Sequence, residues 1–283
     1  MGDRTVFCGL ADAANAGACG MTLSVIIIAR DEATVIARCL ESVAWADEII
    51  VLDSESTDDT ANIARRLNAK VTTTADWPGY GPQKNRAIEL ASGDWILSLD
   101  ADEWVTPQLR SELEHAMKNA PGNQTAFKVP RLSSYCGRFM RHSGWWPDYV
   151  TRLFRRGAAR FSDDLVHERL IVDGSVGKLS ESLFHEAIVN LEDALEKMNA
   201  YSTAGAAMHL KRGETTSLAS AVAHGAWTFV RSYFLRGGFL DGREGFMLAV
   251  SNAEGAYYRY LKQLLLMEAR TNVHRQGVKQ AVP

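Results

Sequence analysis

Two carboxylates with one residue between them, in Leu99-Asp100-Ala101-Asp102-Glu103, close the short apolar run Trp95–Leu99. At a strand-to-loop exit, both can turn toward one divalent cation. Mg²⁺ and Mn²⁺ prefer oxygen ligands and commonly bind through one or two carboxylates, with substrate phosphates completing the shell. The expected chemistry is a metal held by Asp100 and Asp102 against a diphosphate. The alternative for such a triplet is a solvated acidic loop, and its place at the end of an apolar run counts against that.

A second polar turn, Asp53-Ser54-Glu55-Ser56-Thr57-Asp58, follows the apolar run Glu48–Leu52. Ser56 or Thr57 can cap the helix that comes next. Asp53 or Ser54 can accept hydrogen bonds from a nucleotide base or ribose. Ala29-Arg30-Asp31-Glu32, after a third apolar run, would wall the same pocket. Lys84 and Arg86 are candidates for a diphosphate or for a solvated helix face. His185, in Leu183-Phe184-His185-Glu186, is either a late metal or diphosphate ligand or a structural histidine.

The elements that must position these residues alternate. Leu23–Ala29 (LSVIIIA), Glu48–Leu52, Lys70–Thr74 and Trp95–Leu99 read as strands. Short β-branched apolar runs of this kind suit strands buried on both faces. Between them, Glu32–Val43, Asp59–Leu67 and Pro82–Ala91 carry helical patterns. A βαβαβαβ order predicts an α/β fold, a Rossmann-like, mostly parallel sheet flanked by helices. Ligands of such sheets sit beyond the carboxyl ends of the strands, where all three polar turns fall.

Past a helix at Pro107–Lys118, strands are expected at Phe127–Leu132, Val150–Phe154 and Glu168–Val172. Helices follow at Leu191–Leu210, Ser217–Leu235 and Arg243–Glu268. The expected layout is a loose extension over residues 1–20, an α/β domain over 21–190 and a helical C-terminal region over 191–283.

The chain has 283 residues and a net charge of −3, with 46% hydrophobic and 23% charged residues. That composition excludes a mostly disordered or fibrous chain. No apolar run reaches the roughly 18–20 residues needed to cross a bilayer. Residues 1–20 lack the basic and continuous apolar regions of a secretory signal. The four cysteines are scattered, which fits a reducing compartment rather than a disulfide framework.

Charge is distributed unevenly. Residues 1–127 hold ten basic and nineteen acidic side chains, whereas residues 128–160 hold eight basic against Asp148 alone. A basic block of this kind suits an anionic ligand. No GxGxxG follows the first strand and no GxxxxGK[ST] occurs, so a dinucleotide-binding dehydrogenase and a P-loop enzyme are disfavoured. A nucleotide would be held by strand-end side chains and a metal.

Taken together, SVIIIARDE, VLDSESTDDT and QKNRAIELASGDWILSLDADE resemble the family 2 glycosyltransferases of GT-A fold over roughly residues 22–115. With the WW-containing segment, VHERL and GGFLDGREGF, the chain is similar to the lipooligosaccharide and lipopolysaccharide core β-1,4-glucosyltransferase group, to about residue 267. The resemblance implies an inverting enzyme that uses a UDP-sugar, with UDP-glucose as the expected donor, and a divalent metal. Asp102 would bind the metal, with Asp100 near the ribose or the same ion. Arg30, Glu32, Asp53 and Ser54 would line the uridine pocket with the Ala29 turn. The chain departs from the family's usual Pro-x-Tyr-Asn-Glu loop with Ile28-Ala29-Arg30-Asp31-Glu32, and from its Asp-Asp pair with Asp53-Ser54.

Inversion needs a general base for the acceptor hydroxyl. Ser162-Asp163-Asp164-Leu165-Val166-His167-Glu168 offers three carboxylates, of which Glu168 comes first and Asp164 second. The alternative there is that Asp163 and Asp164 cap a turn. The arginines Arg131, Arg138, Arg141, Arg152, Arg155 and Arg156 suit a phosphorylated, lipid-linked saccharide acceptor. Trp145-Trp146 would stack on a sugar or plug a junction. Aromatic and basic residues from Trp227 to Lys262 suggest peripheral contact with an anionic membrane, at the cytoplasmic face of an inner membrane. Nucleic acid is not expected. The other class that fits these residues is a non-catalytic nucleotide-sugar or anionic-glycan binder.

Overall fold

Leu23–Ala29 forms β1, and its alternating side chains enter two different cores. Val25, Ile27 and Ala29 pack with Ile36, Leu40, Leu109 and Leu113, while Ile26 packs with Ile50, Ala87, Ile96 and Phe154. The period of two therefore splits one apolar run between the two faces of a sheet. The computed structural model describes residues 21–162 and 169–280, the last ten by backbone only. Residues 1–20, read above as a loose extension, lie outside them.

The first half follows the predicted alternation. After β1 come α1 (Ile36–Ser42), β2 (Glu48–Asp53), α2 (Thr60–Arg66), β3 (Lys70–Thr73), α3 (Tyr80–Leu90) and β4 (Trp95–Asp100). Neighbouring strands in the order β3-β2-β1-β4 all pair parallel. Helix α1 is shorter than the apolar stripe over 32–43 suggests, because Asp31 to Val35 are drawn into a turn bonded to the loop after β2.

Beyond β4 the sheet becomes mixed. The later elements are β5 (Glu103–Trp104), α4 (Pro107–Asn119), β6 (Gln124–Tyr135), β7 (Arg138–Phe139), β8 (Asp148–Arg155), β9 (Ala159–Phe161), β10 (Leu170–Val172), β11 (Ser175–Lys178) and β12 (Leu183–Ile188). Strand β8 inserts antiparallel between β4 and β6, β12 runs parallel to β6, and the two-residue β5 pairs antiparallel with β12. Parallel pairing needs a crossover of a dozen or more residues. The chain from β6 to β8 contains no helix, so these strands return antiparallel.

The C-terminal region is helical: α5 (Leu191–Lys211), α6 (Leu218–Val230), a π-helical turn (Arg231–Leu235), a 3₁₀ turn (Gly238–Asp241) and α7 (Gly242–Gln280). Asn190 and Ser217 cap α5 and α6 by accepting the Asp193 and Ser220 N–H groups. Lys262 on α7 donates to Asn199, Ser202 and Thr203 on α5, which fixes the register of the two helices. Among the described residues no helix is long and apolar enough to cross a membrane.

The end of the sheet away from the polar turns is clamped by one acid. Glu48 Oε2 accepts from Ser24 Oγ at 2.6 Å, Ser92 N–H at 2.9 Å and Ser92 Oγ at 3.0 Å, and its Oε1 meets Lys70 Nζ at 2.6 Å. Burial alone would raise its pKa. The Lys70 and serine hydrogen bonds win, and hold it at about 2 against an ordinary 4.5. The stabilisation is therefore full above pH 4.5 and is lost as pH falls toward 2. Glu48→Gln should cost about 1–3 kcal/mol at pH 7. It should also flatten the acid limb of stability between pH 4.5 and 2 in urea titrations.

Candidate active site

The three polar turns meet at the carboxyl ends of β1, β2 and β4, and their own side chains lace them together. Asp31, at φ 55°, accepts the Thr57 N–H at 2.7 Å, and its own N–H donates to Ser56 Oγ at 2.9 Å. Glu32 N–H donates to Thr60 Oγ1 at 2.8 Å and Ala33 N–H to Asp58 Oδ2 at 3.0 Å. The density of Asp, Ser and Thr in VLDSESTDDT thus serves mainly to bind one turn to the other.

Asp53 is buried and holds Ser56 through its carboxylate. Ser54, also buried, donates its N–H to the Ala29 carbonyl at 2.9 Å and accepts from Gln83 Nε2 at 3.0 Å. Gln83 is fully buried and also donates to Thr74 Oγ1 at 2.6 Å. It was not singled out in the sequence, where it reads as one polar residue on a helix. Arg30 projects outward with 62% of its side chain exposed, at the rim of this floor.

Asp100 ends β4 within an ionic mesh. Its Oδ1 lies 3.0 Å from Lys84 Nζ and its Oδ2 2.5 Å from Arg152 Nη2, which also meets Glu103 Oε1 at 2.5 Å. Glu103 Oε2 accepts the Asp100 N–H at 3.0 Å, and Arg131 reaches Glu103 at 3.6 Å. Burial opposes charge on Asp100, but the Arg152 and Lys84 cations overcome it and hold the carboxyl well below the usual range. Burial lifts Glu103, with the Asp100 charge adding to the rise.

Asp102 stands apart from that mesh. Its Oδ2 is 3.3 Å from His185 Nε2, and His185 Nδ1 is 2.9 Å from Ser133 Oγ. The pairing of β5 with β12 makes this meeting possible, since His185 lies opposite Glu103 and the Glu186 N–H donates to the Asp102 carbonyl at 3.0 Å. Glu32 faces the same space: burial first, then the Asp102 charge, raise its pKa to about 7. Carboxylates and an imidazole therefore gather at a mouth whose rear wall is cationic.

The glycosyl transferase family 2 model matches residues 24–171, more than half of the chain. The chain belongs to glycosyl transferase family 2. An uncharacterized glycosyltransferase of Rickettsia conorii is 32% identical over 87% of this chain and 90% of its own length. The lipopolysaccharide core biosynthesis glycosyltransferase LpsC of Rhizobium meliloti is 30% identical over 89% of this chain and 96% of its own. Among solved structures, glucosyl-3-phosphoglycerate synthase from Mycobacterium tuberculosis, in complex with Mn²⁺ and UDP, is 29% identical. It covers 42% of this chain and 45% of its own, with a TM-score of 0.35.

In this family 2 glycosyltransferase, the candidate bases Asp163, Asp164 and Glu168 lie outside the described residues. Strand β9, which precedes that segment, runs beside the ionic mesh. Asn85 brackets Phe161, accepting its N–H at 2.8 Å and donating to its carbonyl at 2.9 Å, and the Phe161 ring centre is 5.3 Å from Lys84 Nζ. Ser162 N–H donates to the Arg169 carbonyl at 2.9 Å, next to the antiparallel pairing of β9 with β10.

Other candidates are separated by the fold. Arg86, two residues from Lys84, falls on another side of α3 and makes a bidentate pair with Asp76 at 2.8 and 2.7 Å. Arg155 lies opposite Trp95 at the start of β4, and Arg156 donates to the Gly93 carbonyl at 2.9 Å. Both are thus at the end of the sheet away from Asp100. Arg152 is spent on the acids of the site, and Arg131 on Asp148 at 2.7 Å. Arg138, on β7, and Arg141, just after it, are exposed.

Proposed function

We propose that this glycosyltransferase transfers a hexose, with UDP-glucose as the leading donor, to an inner-core sugar of lipopolysaccharide, with inversion at the anomeric carbon. The observation that carries the reading is the Asp102–His185 pair at the carboxyl end of β4, beside a wall of Lys84 and Arg152. Likeness to LpsC along nearly the whole chain supports the acceptor class. A phosphorylated lipid-linked acceptor would draw the enzyme to the cytoplasmic face of an inner membrane.

The donor set fits a divalent cation. Among the described residues no three His, Cys, Asp or Glu side chains form a ready-made cage. The carboxylate suits Mg²⁺ or Mn²⁺ that takes further oxygen ligands from a diphosphate, and the imidazole nitrogen beside it favours Mn²⁺, the softer of the two. Asp102 and His185 would hold the ion, and Ser133 would fix the imidazole's orientation. Bound there, the metal would supply neutralisation of the leaving diphosphate. Asp100, kept ionised by its two cations, would accept from the ribose, while the Asp53–Ser54 floor and Arg30 would bound the uracil. Glu32 would take its place at the rim as a carboxyl that titrates near neutrality.

The acceptor hydroxyl would give its proton to a carboxylate of the 163–168 segment as it attacks, and Glu168 is the first candidate and Asp164 the second. Glu168→Gln should leave UDP-glucose binding intact and lower turnover by about 10²–10⁴-fold. Normal turnover in that variant would move the role to Asp164. The reading as a whole is tested by binding and turnover across a panel of nucleotide sugars with Mn²⁺ and then with EDTA. Metal-dependent selectivity for one UDP-hexose, followed by labelling of lipid A–core, is the expected result. Labelling of polyprenyl phosphate or peptide instead would replace the acceptor, and no nucleotide-sugar binding would sink the donor site.

A further inference from the structure

We propose that the tip of the α6–α7 hairpin, residues 231–246, is a wedge that enters the headgroup region of an anionic phospholipid bilayer. This deepens the lipid-linked acceptor reading and rests on it for the purpose of the contact. The tip presents Phe234, Leu235, Phe239, Leu240 and Phe246, each between 47% and 66% exposed. Large exposed apolar side chains gathered in this way mark an interaction surface.

The exposure is built into the backbone. The π-helical turn directs Ser232 inward, where its hydroxyl accepts from Asn252 at 3.3 Å, and leaves Phe234 and Leu235 outside. Gly237 and Gly242, at φ 67° and 68°, reverse the chain on either side of the 3₁₀ turn. A Cβ on Gly245 would stand 1.9 Å from the Gly238 carbonyl oxygen, so the two arms touch backbone to backbone.

The rim charge identifies the occupant. The acids of the tip, Asp241 and Glu244, are both buried. Asp241 accepts from His142 N–H at 2.8 Å, and Glu244 meets Arg243 at 2.7 Å and Arg138 at 3.9 Å. Arg231 and Arg236 are exposed, so the outward face is apolar with a positive rim. Anionic headgroups complement that pattern. A second copy of the same tip would bring a rim of the same positive charge to the contact.

The wedge is also bonded to the loop that follows β7. His142 Nδ1 is 2.9 Å from Asp241, and Ser143 N–H donates to the Arg236 carbonyl at 3.0 Å. Met140, in the same loop, donates its N–H at 3.0 Å to the carbonyl of Ser133, whose hydroxyl faces His185. Seating the tip in headgroups would therefore tie the loop behind Ser133 and His185 to the lipid surface.

The test is co-sedimentation of the full chain with phosphatidylcholine vesicles that contain or lack phosphatidylglycerol. The wild type should bind the anionic vesicles. Leu235→Ser with Leu240→Ser should lower partitioning at least about tenfold. Arg231→Gln should lower it about fivefold at low salt. Both variants replace exposed side chains, and each should keep wild-type UDP-glucose binding measured without vesicles. A wild type that ignores anionic vesicles, or a double-serine variant that binds them as well as wild type, overturns the wedge. So does a concentration-dependent dimer abolished by the serines in a chain that binds no vesicles. Failure of the glycosyl-transfer reading would appear separately, as loss of donor binding in the wild type.

Discussion

Replacing Arg152 with methionine is expected to cost about 3–5 kcal/mol of stability at pH 8, the range for removing one partner of a buried ion pair. Arg152 is 5% exposed and its Nη2 lies 2.5 Å from both Asp100 and Glu103. Without the guanidinium, two carboxylates would share a site in which burial already raises Glu103. Methionine fills much of the volume, so the loss reports charge rather than a cavity. In the wild type, Asp100 is depressed, and its contribution is full above its ordinary 3.8 and declines below it. In the variant Glu103 would take up a proton on folding while Lys84 still faces Asp100, so the deficit should shrink as pH falls from 8 to 5. Urea denaturation at the two pH values measures this. Adding Glu103→Gln should recover more than half of the loss, and equal instability at both pH values would contradict an ionic mesh.

Asp102→Asn is expected to abolish the metal dependence of donor turnover and lower the rate by at least about 10²-fold. The side chain is 30% exposed and bonded only lightly, so the fold should persist with an unchanged unfolding midpoint. His185→Ala should weaken Mn²⁺ in the same direction, by about 10–100-fold, and Ser133→Ala by less. The pairing of effects is the discriminating feature. If His185→Ala leaves Mn²⁺ affinity unchanged while Asp102→Asn removes it, the imidazole serves only to orient the carboxylate. Unchanged UDP-glucose affinity in Mn²⁺ for Asp102→Asn would remove the proposed metal site altogether.

Much of this site was legible in contiguous residues. LSVIIIA and WILSL each hold enough apolar, β-branched or aromatic side chains to dictate a buried strand, and the polar turns directly after them fall at the strand ends by topology alone. The places of Asp53, Ser54, Asp100 and Asp102 follow from that, while the family rests on the resemblance carried by SVIIIARDE, VLDSESTDDT and QKNRAIELASGDWILSLDADE. The helix boundaries were less legible: α1 starts late because the N–H groups of Asp31, Glu32 and Ala33 are bonded to Ser56, Thr60 and Asp58.

Partnership across the chain belonged to the tertiary structure. His185 reaches Asp102 only because a two-residue strand after the acidic triplet pairs with β12, and so short a pairing has no pattern of its own. The antiparallel course of β8 sends Arg152 to Asp100 but Arg155 and Arg156 to the opposite end of the sheet. A block of arginines that looked uniform in sequence was divided by strand direction. Gln83 likewise gained its role from Ser54 and Thr74, brought to α3 by the parallel pairing of β2 with β3. Short-range periodicity determines which face of its own element a side chain occupies; which charge lies opposite depends on strand order and register, and those are settled only when the whole sheet buries its two faces.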